Sequence, residues 1–174
     1  MSISERTPDR TTRAPLPARQ LAVMAVFIAL SAAGSLIKIP SPLGSVGLDS
    51  APGFFAAVAF GGWTGSIVIA VGHLFGSAIV GFPLSLPVHL AIAAGMGVCA
   101  LAFSWMGRRG TAWLVVGVVT TSLLNSFGLG LIVVPIGGWG MYLASVPSLL
   151  LGATVNLVLA AVAYRAVRNS RLIE

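Results

Sequence analysis

The chain has 174 residues, 57% of them hydrophobic and 8% charged, with a mean hydropathy of +0.99. A soluble domain carries about 25% charged residues, so this composition excludes an ordinary water-soluble protein and points to lipid as the solvent. The net charge of +6 does not indicate nucleic acid, because the basic residues flank the apolar runs instead of gathering on one stretch.

In chain order, residues 1–18 read as a polar cytoplasmic tail holding Arg6, Arg10 and Arg13, without the apolar core of a cleaved signal segment. Residues 19–168 read as one membrane domain, and 169–174 as a short second cytoplasmic tail. Within the domain, apolar segments fall at 21–37, 48–60, 65–80, 87–106, 112–136 and 142–167. A spanning helix needs ~20 apolar residues, so the second segment is short. The breaks are PSPLG at 40–44, GGWTG at 61–65, GFPLSLP at 81–87, GRRG at 107–110 and GGWG at 137–140, each rich in Gly or Pro. The expected fold class is an all-α integral membrane protein, a bundle of six transmembrane helices with both termini cytoplasmic. Arg19, Arg108, Arg109, Arg165, Arg168 and Arg171 then all lie on the cytoplasmic side, as the positive-inside rule requires. The other face receives 38–48, 81–87 and 137–141, and Lys38 is its one basic residue.

The absences narrow the chemistry. There is no GxxxxGK[ST] and no HExxH, so neither a P-loop nor that zinc motif is present. Cys99 is the single cysteine, and Asp49 the single carboxylate near a span. This is poor equipment for an enzyme; an intramembrane catalyst would have to rely on His73 and His89. No cofactor or metal site is expected. The polar residues within or beside the spans are Lys38, Asp49, His73, His89, Asn125, Trp139, Tyr142 and Asn156, and most fall toward the non-cytoplasmic half. Together they would suit a pocket for a polar small molecule. Each also has a plainer reading: Lys38 snorkelling to headgroups, Asp49 capping the second helix, the histidines and asparagines bonding between helices, and Trp139 and Tyr142 in the interfacial belt. Ala25, Ala29 and Ala33 recur every four residues on the first helix, a spacing that admits close helix approach inside the bundle or from another subunit.

The AVFIAL run, the loop IKIPSPLGSVGLDSAPGFFAAVAFG, the IVIAVGHLFGSAIVGFPL run and LPVHLAIAAGMG together resemble the substrate-binding S components of energy-coupling factor (ECF) vitamin transporters. The resemblance covers about 20–166 and is most similar to the subgroup associated with α-ribazole, a cobalamin precursor. It implies a substrate-binding subunit in the cell membrane with no ATPase of its own, working with a T component and two ATP-binding cassette ATPases. It also implies that Ala25 and Ala29, with Ala33 on the same face, meet the T component. Residues 38–49 would cover a ligand site lined by His89, Asn125, Trp139, Tyr142 and Asn156. A solitary carrier of the same fold and a non-transport assembly subunit are the alternative readings.

Overall fold

The computed structural model describes residues 17–41 and 44–169. The expected tails, except for residues 17, 18 and 169, lie outside the described residues. The elements are α1 (Ala18–Gly34), β1 (Lys38–Ser41), β2 (Gly44–Gly47), α2 (Ala51–Ala59), α3 (Gly62–Ile79), α4 (Leu86–Gly107), α5 (Thr111–Leu123) and α6 (Val134–Asn169). A π-helical turn, Leu124–Gly128, and a 3-10 turn, Leu129–Val133, join α5 to α6. The all-α expectation needs one amendment: β1 and β2 pair antiparallel, Lys38 opposite Gly47, so the loop after α1 is a hairpin. Its Pro and Gly residues read as a break, and the sequence offers no alternating apolar pattern to reveal the strands.

Among the described residues, three stretches are long and apolar enough to cross a membrane: Gly62–Ile79, Leu86–Gly107 and the 58-residue Thr111–Arg168. The last doubles back, because α5 packs on α6 and Arg165 Nη1 donates to Thr111 Oγ1 near its two ends. α1 is apolar but only 17 residues long. α2 has 9 residues and rises only ~14 Å. The breaks at 61–65 and 137–140 are shorter than expected. Only Gly61, at φ 120, interrupts the chain before α3, whereas Gly62 and Gly65 are helical. Gly138, at φ 71 and ψ −176, is non-helical, so Val134–Asn169 is two helices joined across a kink at that one residue.

α2 is the centre of the bundle. Six of its nine residues are buried, and it packs on α1, α3, α4 and α6. A helix apolar all round belongs in such a position. Glycines bring its neighbours close. A Cβ on Gly53 would stand 2.5 Å from Ile69 Cβ and 2.8 Å from Ile69 Cα, and Gly65 presses equally hard on Ala57. Ser31 of α1 and Ser35, its C-cap, sit over Gly72 and Gly76 of α3 in the same way. Phe54 and Phe103 meet edge to face at 5.6 Å, and Ser104 Oγ donates to the Ala57 carbonyl at 2.6 Å.

The contacts give the bundle two ends. Gln20 near the start of α1 bonds Thr64 near the start of α3, Arg108 at the end of α4 approaches Gly61, and Arg165 reaches Thr111. Arg109 lies 3.6 Å over the Trp105 ring at this same end. The described arginines are thus gathered at one end. The hairpin, the start of α4 and the end of α3 form the other.

Gly53→Ala should lower stability by about 1–3 kcal/mol through overpacking against Ile69. Gly140→Ala, with no atom within 4 Å of the added carbon, should be near neutral. Thermal midpoints of the two variants in detergent check the contrast.

Candidate functional site

A cavity of about 220 Å³ opens among the hairpin, α3, α4, α6 and the irregular α5–α6 junction. Its wall is largely aliphatic, with Ile92, Met96, Leu129, Ile132, Val133 and Leu149 among the lining residues. Its polar side is supplied by Lys38, Asp49, His73, Ser77, His89, Asn125 and Asn156. Six of the eight substrate-binding residues expected from sequence are therefore brought to the lining of this one cavity: Lys38, Asp49, His73, His89, Asn125 and Asn156.

Trp139 and Tyr142 are elsewhere. Trp139 is 62% exposed and faces outward, stacked edge on against Tyr142 at 5.7 Å. Tyr142 is buried, and its hydroxyl donates to the Phe127 carbonyl at 3.1 Å. That carbonyl belongs to the π turn, where regular helical bonding is disturbed, so the tyrosine completes the backbone of the junction and does not reach the cavity.

Asp49 follows the hairpin and precedes the N-cap of α2, which is Ser50. It does not cap that helix. Its Oδ2 instead meets His73 Nδ1 at 3.2 Å. His73 Nε2 lies 3.1 Å from His89 Nδ1, and Ser77 Oγ lies 2.9 Å from His89 Nδ1 and 3.3 Å from His73 Nε2. One carboxylate, two imidazoles and a hydroxyl thus form a continuous chain from the hairpin to α4. Ser77 was not anticipated, although it stands four residues after His73 and so on the same helix face. Phe82 was also missed; its ring lies 5.6 Å from that of His89. It sits in the turn before α4, where Phe82 (φ 51) and Ser85 (φ 79) hold left-handed conformations that cost about 1–3 kcal/mol each and occur at functional sites.

The capping expected of Asp49 is done by Asn156, from α6. Its Oδ1 accepts from the backbone N–H of Ala51 at 2.8 Å and of Ser50 at 3.2 Å. Its Nδ2 donates to the Gly152 carbonyl at 2.8 Å and to Gly47 of β2 at 3.4 Å. Asn156 is therefore both a lining residue and the tie between α6, α2 and the hairpin. Asn125 reaches the cavity from the π turn, a distortion that recurs at functional sites. Ala25, Ala29 and Ala33 are exposed on α1, whose inward face is carried by Met24 and Ser31. The alanine spacing is not consumed by packing inside this chain. No group of three or more His, Cys, Asp or Glu among the described residues could hold a metal ion.

A family model described as "ECF-type riboflavin transporter, S component" matches residues 16–169. Among solved structures, one described as "Structure and mechanism of the S component of a bacterial ECF transporter" matches with a TM-score of 0.61 at 16% identity, covering 87% of this chain and 94% of that one. That likeness concerns the fold. Among curated proteins none matches in sequence.

Asn156→Leu removes the acceptor for two buried backbone donors, which should cost about 1–3 kcal/mol. Thermal unfolding in detergent checks it. A midpoint equal to that of the unaltered chain would mean that Ser50 and Ala51 find another acceptor.

Proposed function

The chain belongs to the family of ECF-type riboflavin transporter S components, and from that premise we propose that it captures a small hydroxylated heterocycle in the cavity beneath its hairpin. The observation that carries this reading is the cavity itself, largely aliphatic in its lining yet including Asp49, His73, His89, Asn125 and Asn156. Such a lining suits a ligand with a flat apolar ring and a hydrogen-bonding tail.

The arginine end faces the cytoplasm on the positive-inside rule. The six helices α1 to α6 then leave both termini cytoplasmic, and the cavity end faces outward across the cell membrane. The tails 1–18 and 169–174 flank the membrane domain on that inner side. The hairpin is the cover of the site. Lys38 and Asp49, at its two borders, either hold it down or touch the ligand. Import is driven by ATP hydrolysis on two separate ATPases, coupled through a T component. The exposed face of Ala25, Ala29 and Ala33 is the surface offered to that component. The chain itself catalyses no reaction.

Riboflavin is the ligand that the family description names. α-Ribazole is the smaller of the two candidates, a bicyclic ring with one ribose. A volume of 220 Å³ lies below the roughly 300–1,000 Å³ of most ligand pockets, which favours the smaller compound.

Calorimetric titration of the purified protein with both compounds tests the reading. Sub-micromolar binding of α-ribazole is expected. Tight binding of riboflavin alone would return the ligand to the one in the family description, and binding of neither would sink the choice of ligand class. Replacing Lys38 and Asp49 together by alanine should weaken binding at least tenfold, which is about 1.4 kcal/mol. Unchanged affinity in folded protein would remove both side chains from the covering role.

A further inference from the structure

The arginine end carries charge that no carboxylate among the described residues neutralises. Arg19, Arg108, Arg109, Arg165 and Arg168 gather there, while Asp49, the single described carboxylate, lies at the cavity end. The one ion-pair contact among the described residues joins Asp49 to His73. Of these arginines, Arg109 is the one held between two aromatic rings. It sits in the turn between α4 and α5. Its Cζ lies 3.6 Å above the ring of Trp105, near the end of α4, and 5.6 Å from the ring of Trp113, in the first turn of α5. At 3.6 Å the guanidinium must lie nearly flat on the indole, because an edge-on approach would drive its nitrogens into the ring. A flat guanidinium keeps its in-plane N–H donors free at the edge. An arginine that only snorkels to water takes no fixed place; here two ring faces set its position.

The rings that hold Arg109 are themselves turned outward. Trp105 is 60% exposed and Trp113 46%. Val98, two turns before Trp105 on the same face of α4, and Val116, one turn after Trp113 on α5, are exposed as well. α4 and α5 pack on one another. A charged, donor-rich spot thus stands at the head of an apolar strip two helices wide. A phospholipid has the same division, an acidic head above acyl chains, and basic positions between helices at the cytoplasmic side take such heads.

We infer that this corner is a site for one anionic glycerophospholipid, its phosphodiester on the free edge of Arg109 and its acyl chains along the exposed faces of α4 and α5. The surrounding charge selects the head. A zwitterionic lipid would bring its ammonium among arginines that no described carboxylate offsets, whereas phosphatidylglycerol brings only the phosphate charge. Free phosphate would suit the guanidinium equally well but gains nothing from the exposed rings and valines. The inference does not rest on what the cavity binds, since the corner lies at the opposite end of the bundle. On the positive-inside rule the lipid belongs to the cytoplasmic leaflet.

Native mass spectrometry of the full chain, released from detergent after titration with dioleoyl phosphatidylglycerol or dioleoyl phosphatidylcholine, tests it. The unaltered chain is expected to retain one phosphatidylglycerol at about fivefold lower lipid concentration than phosphatidylcholine, the order set by one arginine at an anionic surface. Arg109→Gln should abolish that preference. Arg168→Gln, which removes the same charge from the same end, should keep it. Trp105→Leu stays apolar but frees the guanidinium, and should weaken the preference. Equal retention of the two lipids by the unaltered chain overturns the site. So does an equal loss in Arg109→Gln and Arg168→Gln, which would mean that net charge alone attracts the lipid. Displacement of phosphatidylglycerol by inorganic phosphate, at an ionic strength where chloride leaves it bound, would make this a phosphate site and overturn the lipid as occupant. Should Arg109→Gln not fold, the two lipids and the phosphate competition on the unaltered chain decide alone.

Discussion

The N-terminus of α2 is a buried helix end, and the arrangement of the cavity depends on how it is satisfied. A helix leaves its first N–H groups without intrahelical partners. At the surface of a soluble protein, water supplies them. Inside a membrane bundle each has to find an acceptor in the protein. Asn156 provides one oxygen for two of them, Ser50 and Ala51, and Pro52 has no N–H to satisfy. The same amide then binds its own helix at Gly152 and the hairpin at Gly47. This fixes where the chain leaves the hairpin and enters α2. Asp49 lies in that interval, so its reach to His73 is set by the asparagine as well as by the histidine.

A nine-residue helix that starts within the bundle leaves space above it, and irregular backbone surrounds that space. The α5–α6 junction loses regular α-helical bonding over ten residues, through a π turn and then a 3-10 turn. Before α4, three successive features break the chain direction: Gly81 at φ 78, Phe82 at φ 51 and Ser85 at φ 79. Non-helical backbone at membrane depth is tolerated where it is buried in protein or lines a cavity. Both conditions hold here, since Leu129, Gly130 and Ile132 from one irregular stretch and Pro83 and Leu84 from the other all face the cavity. The departures from ideal helix and the polar site are one feature of the structure.

Much of this was legible in the sequence, and the failures have physical causes. Apolar runs separated by Gly and Pro located the six helices, and flanking arginines sorted the ends of the bundle. Lys38, Asp49, His73, His89, Asn125 and Asn156 were recognisable because polar groups are expensive in lipid and need a reason to be there. Periodicity could not show which partner each would take. Asp49, directly before a predicted helix, has the position of a cap, yet a side chain from 106 residues later does that work for Ser50. Ser77 was passed over because serine is tolerated in membrane helices and carries no charge. Trp139 and Tyr142 were misplaced for a different reason. Aromatic residues beside a glycine run suggest a stacking wall. Instead, the bend at Gly138 leaves Trp139 outside, while Tyr142 is spent on a backbone carbonyl of the π turn. Packing of glycine against a neighbouring backbone, as at Gly53 and Gly65, is similarly invisible without the partner helix.

The two ends of the bundle are built from different interactions, and the difference bears on what each can do. Toward the arginine end, α2, α3 and α4 are locked by contacts between backbone and side chain at van der Waals distance, with Phe54, Phe103 and Leu157 fully enclosed. Dense packing of this kind has no low-cost alternative arrangement. Toward the cavity end, polar contacts add to the packing: Asp49 to His73, His73 to His89, Asn156 to Gly47. The last, at 3.4 Å, is the longest of the asparagine's four hydrogen bonds, whereas its bond to Ala51 is 2.8 Å. The arginine end is thus held by close packing, whereas the cavity end adds directional polar bonds that tie β2, α2, α3, α4 and α6 to one another. The polar side chains that are costly in lipid are accommodated because each of these bonds pairs one of them with another element.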